Sequence, residues 1–185
     1  MKRLQEFISF LSHPACLEAA WITYWSRGSL GWIAASWGLL VGAGGLLYLW
    51  LQQKPRDIVV VLGSARRFLL LWNLLAIVGM WGATAEPLLH FWLRFFLWMS
   101  FWAFIAHWKW EFSFHAFGWS AIAAFYTAYV PFYVGTALGL WITALGVGYL
   151  RYRQGAHTLP EVLRGLIAGS IIAGGFVVYH EATHA

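Results

Sequence analysis

The sequence predicts an all-α integral membrane protein, a six-transmembrane-helix bundle preceded by an N-terminal interfacial helix. Three observations predict it. The chain of 185 residues is 61% hydrophobic and 10% charged, whereas soluble domains carry roughly 25% charged residues. Several uncharged apolar stretches reach the roughly 18 residues that suggest a membrane span. The few cations cluster in the breaks between those stretches. One domain is expected, divided into an interfacial segment, 1–27, and a six-helix transmembrane domain, 28–185.

Within 1–27, apolar Phe7, Phe10, Leu11 and Leu17 are interrupted by Glu6, His13, Pro14 and Glu18. That pattern suits a helix lying in the interface, with Trp21, Tyr24 and Trp25 at headgroup level. The same interruptions leave no clean apolar core for a cleavable signal peptide. The first span is Gly28 to Gln53, where Gly38 and Gly42 offer a small-residue face. After the basic loop Lys54 to Asp57, Ile58 to Leu62 is a short interfacial or re-entrant piece. Span two is Phe68 to Ala83, and Asn73 within it is a helix–helix contact. Glu86 and Pro87 break span two, and span three is Leu88 to Ala106, containing Arg94. His107 to Glu111 reads as a polar loop.

Phe112 to Leu150 contains no Asp, Glu, Lys or Arg. As a single helix it would extend roughly 58 Å, about twice a bilayer core. It is therefore expected to fold as a hairpin: span four from Phe117 to Val130, a turn at Pro131, and span five from Val134 to Leu150. Gly135 and Gly139 would form a packing face on span five. Span six runs from Leu163 to Tyr179, with Gly165, Gly169 and Gly174 in small-residue register. In this topology Lys54, Arg56, Arg66, Arg67, Lys109, Arg151, Arg153 and Arg164 share one side. Lys2, Arg3 and Arg27 lie on the other, so the first side is expected to be cytoplasmic.

The net charge of +5 arises from scattered loop residues, with no basic groove interleaved with aromatics. That excludes nucleic acid as the expected partner and favours membrane lipids and anionic substrates. The single cysteine, Cys16, rules out an internal disulfide or a cysteine zinc cage. The expected setting is a multi-pass protein of a bacterial inner membrane.

The most informative polar interruption is Arg151 to Glu161. Arg151 precedes His157 by six positions, and Glu161 follows it by four. If this segment is helical, His157 and Glu161 share a face. A carboxylate beside an imidazole fixes its tautomer and raises its basicity, and a guanidinium supplies a planar fork for a phosphate-like anion. The hairpin brings Ser113 and His115 to the same side as His157.

These residues resemble the type 2 phosphatidic acid phosphatase superfamily over Ser113 to Gly175. The spacing of the family pattern Ser-Arg-x5-His-x3-Asp is reproduced by Leu150-Arg151, His157 and Glu161; of Pro-Ser-Gly-His, Phe112-Ser113-Phe114-His115 keeps the serine and the histidine. The resemblance implies a metal-free membrane phosphatase acting on a lipid or isoprenoid phosphate. His157 would be the nucleophile, Glu161 its orienting carboxylate, and His115 the acid for the leaving alkoxide. Arg151 and Ser113 would hold the nonbridging oxygens. The family's Lys-x6-Arg-Pro motif is absent, Phe114 replaces its glycine and Leu150 its serine. Lys109, Arg153 and Arg94 are the available replacement cations. The alternative is an inactive relative of the same fold, serving as a structural or lipid- or cofactor-binding subunit beside other membrane subunits.

Each feature also has a plainer reading. Arg151 and Arg153 serve equally as juxtamembrane charges, His157 with Glu161 as a capped loop pair, and His115 as an interfacial histidine. Arg94 either snorkels to the surface or faces the bundle interior. His180, Glu181 and His184 spell His-Glu-x-x-His, a weak zinc candidate because the chain offers no downstream third ligand. The 14 tryptophans are expected mostly as interfacial belt residues. His90, His107 and His115 lie near span ends, which does not favour a bis-histidine haem. No cofactor is expected.

Overall fold

The computed structural model describes residues 87–129 and 133–184, together with isolated helical positions between 71 and 81. The interfacial segment 1–27, the first span and the basic loop at 54–57 lie outside the described residues. So do most of span two and the turn at Pro131. Four helices are described: α1 (Pro87–Lys109), α2 (Phe114–Tyr129), α3 (Val134–Arg153) and α4 (Leu159–His184). No strand occurs among the described residues.

The six-span bundle is corrected. Among the described residues, two helices are long and apolar enough to cross a membrane, Val134–Arg153 and Leu159–Thr183. The segment expected as span four forms a helix of 16 residues, roughly 24 Å, short of the roughly 30 Å hydrocarbon core. The expected span three falls in α1, which carries His90 and Arg94 in its first two turns. The expected polar loop at His107 is also corrected, because α1 continues through Lys109.

Contacts divide the chain into two compact units, Met1–Ile105 and Ala106–Ala185. In the first, α1 starts on Pro87, whose fixed φ suits a first helical position. Its Trp92, Leu93, Phe95, Phe96 and Met99 are buried, as is Ile77. Arg94 is exposed, and its guanidinium lies 5.5 Å from the centre of the Trp81 ring.

In the second unit α2 packs closely on α4 and on α3, while α3 and α4 touch less. α2 and α4 run parallel: Phe117 meets Gly169, Phe125 meets Phe176, and Tyr129 meets His180. α3 runs antiparallel to α2, with Trp141 Nε1 donating to Thr127 Oγ1 at 3.1 Å. The core combines Phe112, Phe117 and Phe125 with Ala144 and Val147 of α3 and Val162 and Phe176 of α4.

Glycine permits the close approach of α2 and α4. A Cβ on Gly165 would stand 2.5 Å from the Ser113 carbonyl oxygen, and one on Gly169 would overlap the Phe117 carbonyl and Ser120 Oγ. Ser120 Oγ donates to the Phe117 carbonyl at 3.0 Å, which satisfies this buried hydroxyl. Gly174 does not join this contact, and Gly135 and Gly139 face open space. The expected packing face on the fifth span is therefore unoccupied among the described residues.

Candidate functional site

The helix directions bring the N-termini of α2 and α4 and the C-terminus of α3 to one end of the Ala106–Ala185 unit. Each terminus is built by a local device. α3 ends in a Schellman turn: Gly155 adopts φ +66°, its amide donates to Tyr152 O at 3.0 Å, and the Ala156 amide donates to Arg151 O at 3.2 Å. Glycine takes this left-handed conformation without the Cβ cost other residues bear.

Two residues later Thr158 precedes α4, and the Val162 amide donates to its carbonyl at 3.1 Å. The Glu161 carboxylate reaches back and accepts the Thr158 amide at 2.8 Å. This is the reciprocal half of a capping box, in which a Glu three positions into the helix satisfies the cap residue's amide. At α2 the cap residue is Ser113. Its carbonyl accepts the Phe117 amide at 2.9 Å, and its Oγ accepts the Ala116 amide at 3.5 Å. The Ser113 amide donates to the Glu161 carbonyl at 3.1 Å, which ties the start of α2 to the first turn of α4.

His157 lies in the turn before α4 and not on a helix face. It still meets the carboxylate: His157 Nδ1 is 3.4 Å from Glu161 Oε2. The short turn folds the ring over the first helical turn, so the pair forms across the cap. The His157 side chain is 6% exposed and that of Glu161 18%. With Nδ1 facing a carboxylate, the ring is oriented by Glu161.

Arg151 is buried, and its Nη1 donates to Gln154 Oε1 at 2.9 Å. Ser113 and His115 are buried at the start of α2. Lys109 and Arg153 are exposed, at the ends of α1 and α3. The structure thus gathers Ser113, His115, Arg151, His157 and Glu161 at one end of a single unit, with Lys109 and Arg153 on its outside. Arg94 belongs to the other unit, where Trp81 is its neighbour.

Sequence reasoning passed over Gln154 and Thr158. Both carried a signal: Thr158-x-x-Glu161 spells a capping box, and Gln154-Gly155 marks a glycine-stopped helix. It also placed His107 in a polar loop, whereas His107 is buried against Phe112 and Phe114, at ring distances of 5.7 and 5.2 Å.

The zinc candidate lies at the opposite end of α4. The His180 ring stacks on Phe176 at 5.9 Å, nearly parallel, and Glu181 is exposed. Among the described residues no group of three His, Cys, Asp or Glu side chains could hold a metal ion.

No family model matches this chain, and no curated protein or solved structure matches it either.

Proposed function

We propose that the protein is embedded in a membrane through α3 and α4, and that the polar end of the Ala106–Ala185 unit hydrolyses a lipid or isoprenoid phosphate. The membrane assignment is supported by large apolar side chains directed outward from both helices. Leu138, Ile142 and Leu145 on α3, and Ile167, Ile171 and Val178 on α4, are all more than half exposed. Faces of that extent are costly in water and favourable in lipid.

The hydrolase reading is carried by the contact between His157 Nδ1 and Glu161 Oε2. In this mechanism Nε2 of His157 attacks phosphorus, an N–P bond forms and the P–O bond to the lipid alcohol breaks. His115 gives its proton to the departing alkoxide. Water, giving a proton to His115, then attacks the phosphohistidine, and the N–P bond breaks to release inorganic phosphate and return both histidines. Arg151, buried at the same end of the unit as the dyad, would neutralise nonbridging oxygens. Glu161 holds the ring in one tautomer and stabilises its positive charge.

A second reading is favoured by a separate observation: Ser113 is fully buried and serves as the cap of α2, while Glu161 caps α4. A polar cluster occupied in this way suits a non-catalytic structural or lipid-binding subunit of a membrane complex.

Phosphate release by the detergent-purified full chain, from a panel of lipid and isoprenoid phosphates, decides between the two. Release that disappears in His157→Ala is the result expected of the hydrolase. Release that survives the substitution removes His157 as nucleophile, and no release from any substrate selects the non-catalytic reading.

A further inference from the structure

The two ends of the Ala106–Ala185 unit differ sharply in charge. Its four Lys and Arg residues are Lys109, Arg151, Arg153 and Arg164, and all lie toward the end that holds His157. Arg151 is buried; the other three are exposed. Arg164 Nη1 donates to the Glu111 carbonyl at 3.2 Å, so the start of α4 and the segment after α1 are held together. Beside Lys109 stand Trp108 and Trp110, 63% and 60% exposed. The acidic groups here are Glu111, which is exposed, and Glu161, which is engaged by Thr158 and His157. The opposite end exposes Tyr133, Tyr179 and Glu181 and carries no Lys or Arg among its described residues.

We infer that the Lys109–Arg153–Arg164 end is a docking surface for anionic phospholipid headgroups, anchored by Trp108 and Trp110. This rests on the membrane reading and is independent of the hydrolase reading. Indole rings favour the headgroup boundary, where an apolar body and a polar N–H are both accommodated. Guanidinium and ammonium groups just outside the hydrocarbon are attracted to phosphate-bearing lipids, and the attraction is screened by salt. The charge complementarity selects an anionic leaflet for this end and leaves the tyrosine-bearing end for the other. The dyad is thereby set at the anionic surface.

The test uses the full chain reconstituted in phosphatidylcholine bilayers, with a rising fraction of brominated phosphatidylglycerol as the tryptophan quencher. Brominated phosphatidylcholine is the reference. The wild type is expected to show a preference for phosphatidylglycerol of several-fold that shrinks as salt is raised. In the triple variant Lys109→Gln, Arg153→Gln, Arg164→Gln the preference falls to about one. Equal quenching by both lipids in the wild type, or a preference unchanged in the triple variant, overturns the inference. Full competition by millimolar inorganic phosphate also overturns it, because it would reveal a discrete anion site in place of a lipid surface. Alkaline carbonate extraction of native membranes separates the failures. Release into the supernatant would sink the membrane reading itself, whereas retention without lipid preference would sink only this inference.

Discussion

Oε2 of Glu161 lies 3.4 Å from Nδ1 of His157, and the same oxygen accepts the Thr158 amide at 2.8 Å. One carboxylate therefore both caps α4 and faces the imidazole. These two duties respond differently to substitution, which makes Glu161 the most informative position in the site.

Glu161→Gln retains an acceptor for the Thr158 amide, since Gln also serves in a capping box. Thermal unfolding should shift by less than about 0.5 kcal/mol, while any phosphate release falls by about 100-fold or more as the ring loses its charged partner. Glu161→Ala should lose the same activity and also about 0.5–1 kcal/mol of stability. An unchanged rate in Glu161→Gln would remove the carboxylate from the mechanism.

Ser113 offers a similar separation. Its hydroxyl is a long acceptor for the Ala116 amide, at 3.5 Å, so Ser113→Ala should cost only about 0.5 kcal/mol, the low end for a lost cap. If the hydroxyl acts only as a cap, activity per folded molecule is retained. A tenfold or greater loss of phosphate release at nearly unchanged stability would assign it to the substrate.

The α2–α4 contact should be intolerant of a single methyl group. In Gly169→Ala the new Cβ would overlap the Phe117 carbonyl, which is backbone and has little freedom to yield. A loss of about 1–3 kcal/mol is expected from such overpacking. Gly139→Ala meets nothing within 4 Å and should be neutral, or stabilising by up to about 1 kcal/mol through helix propensity. Melting both variants in one detergent compares them directly.

At Gly155 the conformation rather than the space is decisive. Nothing lies within 4 Å of a Cβ placed there, yet φ is +66°. Gly155→Ala should destabilise the α3–α4 connection by about 1 kcal/mol, and Gly155→Asn by less, because Asn tolerates this region. Equal melting temperatures for all three chains would show that the turn adopts another conformation.

Much of α3, α4 and the polar turn between them was legible in the sequence. An uncharged run, a proline, a glycine and a cluster of ionisable residues are all features of contiguous chain. The spacing of His157 and Glu161 predicted their proximity, although the contact forms across a cap and not along a helix face. The six-span count was not legible, because hydropathy alone does not set where a helix begins and ends. The 16-residue α2 is buried on seven of its residues by neighbouring helices, so its apolar character serves packing within the unit as well as any exposure to lipid.

By itself, the sequence determined the helical class of the described segments, the apolar character of α3 and α4, and the local caps at Thr158 and Gly155. Each of these follows from residues within a few positions of one another. Only the tertiary structure decided which glycines are filled, Gly165 and Gly169 by the backbone of α2 while Gly135 and Gly139 remain open. It alone buried Arg151 and Ser113 at the same end as His157 and left Lys109, Arg153 and Arg164 outside. The reason is physical: close packing and burial depend on which distant surfaces meet, and Ser120 and Gly165, which meet here, are 45 residues apart in the chain.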